Sequence, residues 1–74
     1  MKFIWNVTAP DEPPGYEMWI HDGEIGFLVT KGVGGWLAFS VDRREGPERV
    51  YCHPCQNLAH GKKLAEGTAR KLLQ

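Results

Sequence analysis

Apolar and polar side chains alternate with a period of two along most of the first 52 residues, which is the pattern of half-buried β-strands. Phe3, Trp5 and Val7 fall on one side of a first predicted strand. The same alternation predicts further strands over residues 16–20, 25–30 and 36–42, and a short edge strand over 49–52. The first two thirds of the chain therefore indicate a β-sheet.

The breaks between these strands have the chemistry of turns. Three prolines and a glycine between positions 9 and 15 cannot continue a ladder, because proline supplies no N–H. Asp22-Gly23 between two β-type runs predicts a hairpin with a type I′ turn. The glycine-rich stretch 31–35 predicts a second turn. Short connections of this kind favour an antiparallel meander.

The remaining residues, 57–74, have the period of a helix. At 100° per residue one narrow stripe is apolar, and it comprises Leu58, Ala65, Ala69, Leu72 and Leu73. Asn57 is the predicted N-cap, and Gly61 and Gly67 mark either a kink, a packing contact or an earlier end. The chain therefore predicts one α+β domain over residues 1–74, an antiparallel meander of three to five strands with one C-terminal helix packed on one face.

Charge argues against one general class of function. Nine Lys and Arg balance nine Asp and Glu, which disfavours generic nucleic-acid binding driven by phosphate neutralisation. Residues 1–42 hold two basic and six acidic side chains, a net of −4, and residues 43–74 hold seven and three, a net of +4. The start has no long apolar run and no stretch is long enough to span a membrane, so we expect a cytosolic protein with no membrane partner.

Both cysteines lie in the run Cys52-His53-Pro54-Cys55, at a predicted junction between strand and helix. Their spacing suits metal ligands, and a zinc site would take Cys52, Cys55, His60 and His21. A thiol pair before a helix also resembles the redox motif of thioredoxin-like proteins, although here all the strands precede it. Alternatively both thiols pack as small apolar residues. The sequence requires no cofactor and leaves these three interpretations open.

Motifs for catalysis are absent from the sequence: it has no nucleophile elbow and no pair of carboxylates on one element. The glycines at 32–35 lie between two strands and predict a turn, not a phosphate loop. We therefore expect a protein that is not an enzyme.

Nucleic-acid binding is one alternative that remains. Arg43, Arg44 and Arg49 lie near one predicted hairpin, and sheet-plus-helix modules can insert strands into a DNA groove. Against this interpretation stands the zero net charge.

Protein binding is the function that the pattern favours. One helix covers only one face of a sheet, so the aromatic residues Trp19 and Trp36 are candidates for an exposed binding surface or for a homodimer contact. The acidic, proline-rich loop around Asp11 and Glu12 is a second candidate, because its charges could imitate phosphate.

A resemblance supports this choice. Gly35-Trp36-Leu37-Ala38 on a strand, followed by residues 57–66 on a helix, resembles small sheet-plus-helix proteins encoded by phages and prophages. The similarity covers residues 16–73, and Cys52–Cys55 is not part of it. It implies a host-interaction factor acting on a host protein complex, such as an inhibitor of a bacterial defence system, and it brings no catalytic motif.

Overall fold

The computed structural model describes residues 3–8 and 14–74, and it shows a five-stranded sheet, one α-helix and a single 3-10 turn at His21–Gly23. The strands are β1 (Asn6–Val7), β2 (Tyr16–Ile20), β3 (Ile25–Gly32), β4 (Gly35–Asp42) and β5 (Arg49–Cys55), and the helix is α1 (Leu58–Leu73). They lie in the order β1-β2-β3-β4-β5, and every neighbouring pair is antiparallel. The predicted α+β meander with one C-terminal helix is confirmed.

The core lies between α1 and one face of the sheet. Ala65 and Ala69 of α1 are buried, and their small side chains let the helix approach the strands closely. Opposite them lie the buried apolar residues of β2, β3 and β4, which are Met18, Ile20, Ile25, Phe27, Val29 and Ala38. The helical stripe predicted from the sequence is therefore the face that packs.

Individual residues determine the local backbone at the start of α1 and in the hairpin between β2 and β3. Asn57 caps α1, and its Oδ1 accepts the backbone N–H of His60 at 2.8 Å. Gly61 is a packing contact, because a Cβ there would lie 2.6 Å from Val29 Cγ1. At the first hairpin Asp22 and Gly23 have φ of +55° and +86°, and the N–H of Glu24 donates to the oxygen of His21 at 3.1 Å. These are the features of the predicted type I′ turn.

The first strand is shorter than the alternation predicts. Only Asn6 and Val7 pair with β2, because Phe3 and Trp5 turn towards the core and pack beside the helix. The indole Nε1 of Trp5 donates to Glu66 Oε2 at 2.8 Å, and the ammonium of Lys62 lies 5.6 Å from the Trp5 ring centroid. Packing and these polar contacts hold the N-terminal segment along one side of α1.

The last strand is longer than predicted. β5 continues to Cys55, so the whole run Cys52–Cys55 lies in the strand and not at a junction. Pro54 is compatible with this position because an edge strand has one side without ladder hydrogen bonds. Among the described residues, no helix has the length and apolar character needed to cross a membrane.

Candidate functional site

One face of the sheet carries no other element of the described chain. Directly opposed residues share a face, and successive residues alternate between faces, so the register assigns every strand side chain. The face away from α1, called here the open sheet face, carries the side chains of Asn6, Glu17, Trp19, Leu28, Thr30, Leu37, Phe39, Val41, Val50, Cys52 and Pro54, together with Gly26. Glu17 is the one Asp, Glu, Lys or Arg residue among them. The face is therefore a broad apolar surface.

Neighbouring residues define the position of the Trp19 ring on this face. It lies opposite Gly26 of β3, and a Cβ on Gly26 would lie 2.5 Å from the ring atom Cζ3. The guanidinium carbon of Arg43 lies 5.0 Å from the ring centroid, on the loop that follows β4. Trp19 nevertheless remains 39% exposed. The glycine and the arginine hold a large aromatic ring in place while leaving it accessible to a partner.

The centre of the open sheet face is made by β3, β4 and β5. Phe39 lies between Leu28 and Cys52, and Val41 lies beside Val50. Leu28, Phe39 and Val41 are half-buried by their neighbours, whereas Val50 is 59% exposed. Side chains from three adjacent strands thus form one contiguous apolar patch, and such patches mark interaction surfaces.

The structure separates the two predicted tryptophans. Trp36 lies opposite Lys31 and Cys55, on the face that carries α1, and it is half-buried. Trp19 and Trp36 therefore do not form one surface. The other predicted surface, the acidic loop with Asp11 and Glu12, lies outside the described residues.

Cys52 and Cys55 are also separated. Three positions apart in a strand, they fall on opposite faces, Cys52 on the open sheet face and Cys55 beneath the start of α1. Both are free thiols. A Cβ on Gly61 would lie 3.0 Å from Cys55 Sγ, so Cys55 packs as a core residue, whereas Cys52 is exposed. In this arrangement the two sulfurs cannot bind one ion together.

The histidines of the predicted zinc set are not brought to the thiols either. His21 lies in the β2–β3 turn, and the span from Ile25 to Lys31, about 20 Å, separates that end of the sheet from Cys55. His60 Nδ1 accepts the backbone N–H of Gln56 at 3.0 Å. Within residues 3–8 and 14–74, no three His, Cys, Asp or Glu side chains are grouped so that they could hold a metal.

The environment of Cys55 also differs from that of a reactive thiol. Burial first, and then the nearby Cys52, raise the pKa of the Cys55 thiol. A catalytic or redox thiol needs the opposite shift, because the thiolate is the nucleophile.

The three arginines lie at one end of the sheet, together with carboxylates. Arg44 Nε and Nη2 donate to the two oxygens of Asp42 at 3.1 and 3.0 Å, and this contact lowers the pKa of Asp42 to about 2. Arg43 Nε lies 3.2 Å from Glu48 Oε1. Arg49 lies opposite Asp42 across the β4–β5 ladder. The basic charge at this end is therefore largely compensated locally.

A groove lies between α1 and the outer strands β4 and β5. This groove has a volume of about 390 Å³, and its lining includes Ala38, Tyr51, His53, Leu64 and Thr68. Tyr51 and Leu64 are exposed, because α1 lies mainly over β3 and β4 and covers β5 only near Cys55. Sequence reasoning missed this groove. The sequence signal for the groove was Leu64, an apolar residue that falls outside the predicted apolar stripe of α1.

Comparison of this chain with protein-family models, with curated proteins and with solved structures finds no match.

Proposed function

We propose that this protein is a non-enzymatic binding module that holds a partner protein through the open sheet face. The observation that carries the proposal is the position of Trp19, an accessible ring fixed between Gly26 and Arg43 at the border of an apolar patch. Tryptophan and arginine are the residues that most often dominate the energy of protein interfaces. A fixed ring also loses little side-chain entropy when a partner covers it.

The chemistry of the face supports binding over catalysis. Its carboxylate, Glu17, is on β2 and its thiol, Cys52, is on β5. Two intervening strands separate them by about 14 Å, which is too far for one group to activate the other. The face can therefore exclude water from an interface, but it offers no paired acid and base.

The partner that fits this surface is a protein with a flat apolar patch that can cover Trp19 and the apolar residues beside it. The resemblance to phage and prophage proteins supports a partner in a host protein complex, which stays a prediction. A cytosolic setting suits the two free thiols.

Nucleic-acid binding through Arg43, Arg44 and Arg49 stays a prediction from the sequence. No structural observation favours it, because Arg43 and Arg44 are already paired with Glu48 and Asp42. The zinc hypothesis likewise has no assembled ligand set in its support.

The test uses two variants with the same change of charge. Trp19→Glu places a carboxylate on the open sheet face, whereas Val33→Glu places it in the β3–β4 turn, where Val33 is fully exposed. Immobilised wild-type protein and both variants are used to capture partners from a host extract, and a captured protein is then purified and titrated by calorimetry. We expect Trp19→Glu to weaken binding by at least about tenfold and Val33→Glu to leave it unchanged.

Equal affinity of the wild type and Trp19→Glu for the purified partner would overturn the proposal. Circular dichroism of both variants shows whether the fold is kept, so that a loss of binding can be assigned to the surface.

A further inference from the structure

β5 is an edge strand with an unpaired outer side. It has seven residues, six of them exposed, and within the described chain no strand lies beyond it in the sheet. The opposite edge, β1, has only two residues. Natural proteins usually protect a long edge with lysines, prolines or inward-pointing charges, because free N–H and C=O groups pair readily with another strand.

The β3–β4 turn determines which backbone groups of β5 face outward. Gly32 and Gly35 flank a two-residue turn, and such a turn closes on a hydrogen-bonded pair. Pairs along an antiparallel ladder alternate between bonded and non-bonded. Odd-numbered residues of β4 therefore bond to β3, and its even-numbered residues bond to β5.

The β4–β5 register carries this alternation to the edge. Trp36 pairs with Cys55, so the odd-numbered residues of β5 bond to β4 and the even-numbered residues face outward. Those outward residues are Val50, Cys52 and Pro54. The position of Pro54 agrees independently, because a proline in a strand is tolerated where its missing N–H would face solvent.

The free edge is consequently short and defined. Val50 and Cys52 each present an N–H and a C=O, and Pro54 ends the series because it has no N–H to donate. Only an extended backbone satisfies groups spaced in this way. The chemistry of the edge therefore specifies a β-strand as its ligand.

We propose that the strand that binds this edge is the β5 strand of a second copy of this chain. When two β5 strands run antiparallel about a two-fold axis through Tyr51, Val50 pairs with the partner's Cys52 and Cys52 with the partner's Val50. Each pair exchanges two hydrogen bonds. All four outward N–H groups of the two Val50 and two Cys52 residues are then satisfied, and Pro54 stays outside the paired segment.

The register displaced towards Pro54 satisfies fewer groups. An axis through Cys52 would place Val50 opposite the partner's Pro54, which cannot donate a hydrogen bond. The segment from Val50 to His53 carries no Lys, Arg, Asp or Glu, so the strand meets its own copy without repulsion between such charges. A second copy therefore complements this edge by symmetry, as isologous interfaces require.

The association also closes at two subunits. Once the two β5 strands are paired, the remaining edges are the two-residue β1 strands, which offer little for further pairing. The paired sheets would have ten strands, and the two open sheet faces would become one continuous surface. The two Tyr51 rings would meet beside the groove, whose outer wall the partner subunit would complete.

The first test removes an outward N–H without disturbing the β4–β5 ladder. Cys52→Pro removes this N–H, and Pro54 shows that the strand accepts a proline at an outward-facing position. Cys52→Ser is the matched control, because serine keeps the N–H. Sedimentation and light scattering at several concentrations should give a dimer for the wild type and for Cys52→Ser. We expect Cys52→Pro to be monomeric at concentrations where the control is dimeric. A monomeric wild type, or a folded Cys52→Pro that remains dimeric, would overturn the proposal.

The second test does not depend on the folding of a proline variant. In a background with Cys52→Ser and Cys55→Ser, Tyr51→Cys places two thiols opposite each other with Cα atoms about 4.5 Å apart, within disulfide range. The control His53→Cys, on the same strand face, separates its two thiols by about 13 Å along the strands. Oxidised glutathione, which takes up the two electrons and two protons, should crosslink the first variant and not the second. Equal crosslinking of both variants would contradict the register.

Cys52 belongs to the open sheet face as well as to the edge, so the Trp19 variant separates edge pairing from contact through that face. Trp19→Glu should leave the dimer intact, since Trp19 lies on β2, three strands from β5. A dimer that Trp19→Glu dissociates and Cys52→Pro preserves would place the contact on the open sheet face and overturn the edge pairing.

Discussion

The indole ring of Trp19 fills the space that a side chain on Gly26 would need, with ring atom Cζ3 only 2.5 Å from the position of a Cβ. The two residues are directly opposed on β2 and β3. Gly26 is thus required by its neighbour's ring and not by a turn, and the pair determines how the aromatic residue of the open sheet face is presented.

Gly26→Ala should displace the Trp19 ring. Because the ring would leave its contact with Arg43, we expect the free energy of unfolding to fall by about 1 kcal/mol. The indole N–H resonance of Trp19, assigned with Trp19→Phe, should shift in the nitrogen–proton spectrum. Gly34→Ala is the control, since a Cβ there meets nothing within 4 Å. An unchanged Trp19 resonance in Gly26→Ala would show that the ring does not rest on the glycine.

The two glycines of α1 should respond oppositely to alanine. A Cβ on Gly61 would lie 2.6 Å from Cγ1 of the fully buried Val29, so Gly61→Ala should destabilise the protein by about 1–3 kcal/mol. A Cβ on Gly67 meets nothing within 4 Å, so Gly67→Ala should stabilise it by about 1 kcal/mol through helix propensity. Urea unfolding measures both, and stabilisation by Gly61→Ala would mean that the helix stands further from β3.

Acid should weaken the contact between Asp42 and Arg44. The side-chain hydrogen bonds from Arg44 lower the pKa of Asp42 from its ordinary 3.8 to about 2 in the folded protein. A carboxyl group whose pKa is lower in the folded protein than in the unfolded chain stabilises the fold when it is ionised. This stabilisation is complete above the ordinary pKa and is lost as the pH falls towards 2. Asp42→Asn should therefore lose less stability than the wild type between pH 4 and 2.

The urea midpoint of both proteins across this range measures the difference. Arg44→Gln, which keeps Asp42 and removes the guanidinium, should flatten the wild-type curve in the same way. Parallel curves for all three proteins would show that the contact does not persist in solution.

The two thiols should react at different rates. Cys52 is exposed, whereas Cys55 is half-buried and its pKa is raised by burial. Under native conditions Ellman's reagent should modify Cys52 faster than Cys55, on the order of tenfold. Cys52→Ser should remove the fast phase and Cys55→Ser the slow one. The separation of the two sulfurs would be contradicted if both thiols resisted Ellman's reagent until a chelator was added. A zinc adduct in the native mass spectrum would accompany that result.

Local sequence determined most of the strands and the helix. The alternation of residues 16–20 predicts β2 with the bounds observed, and Asp22-Gly23 forms the expected turn. The apolar stripe with Ala65 and Ala69 identifies the packed face of α1. These features follow from periodicity, positive φ and capping, which act between residues close in the chain and can therefore be read without the fold.

Tertiary structure alone decided where the functional residues lie. The run Cys52–Cys55 reads as a junction, yet pairing with β4 extends β5 through it and turns the two thiols to opposite faces. Register likewise separates Trp19 from Trp36 and joins Trp19 to Gly26. Register and edge position depend on partners distant in the chain, because side chains alternate along every strand and a shift of one residue would exchange the two faces.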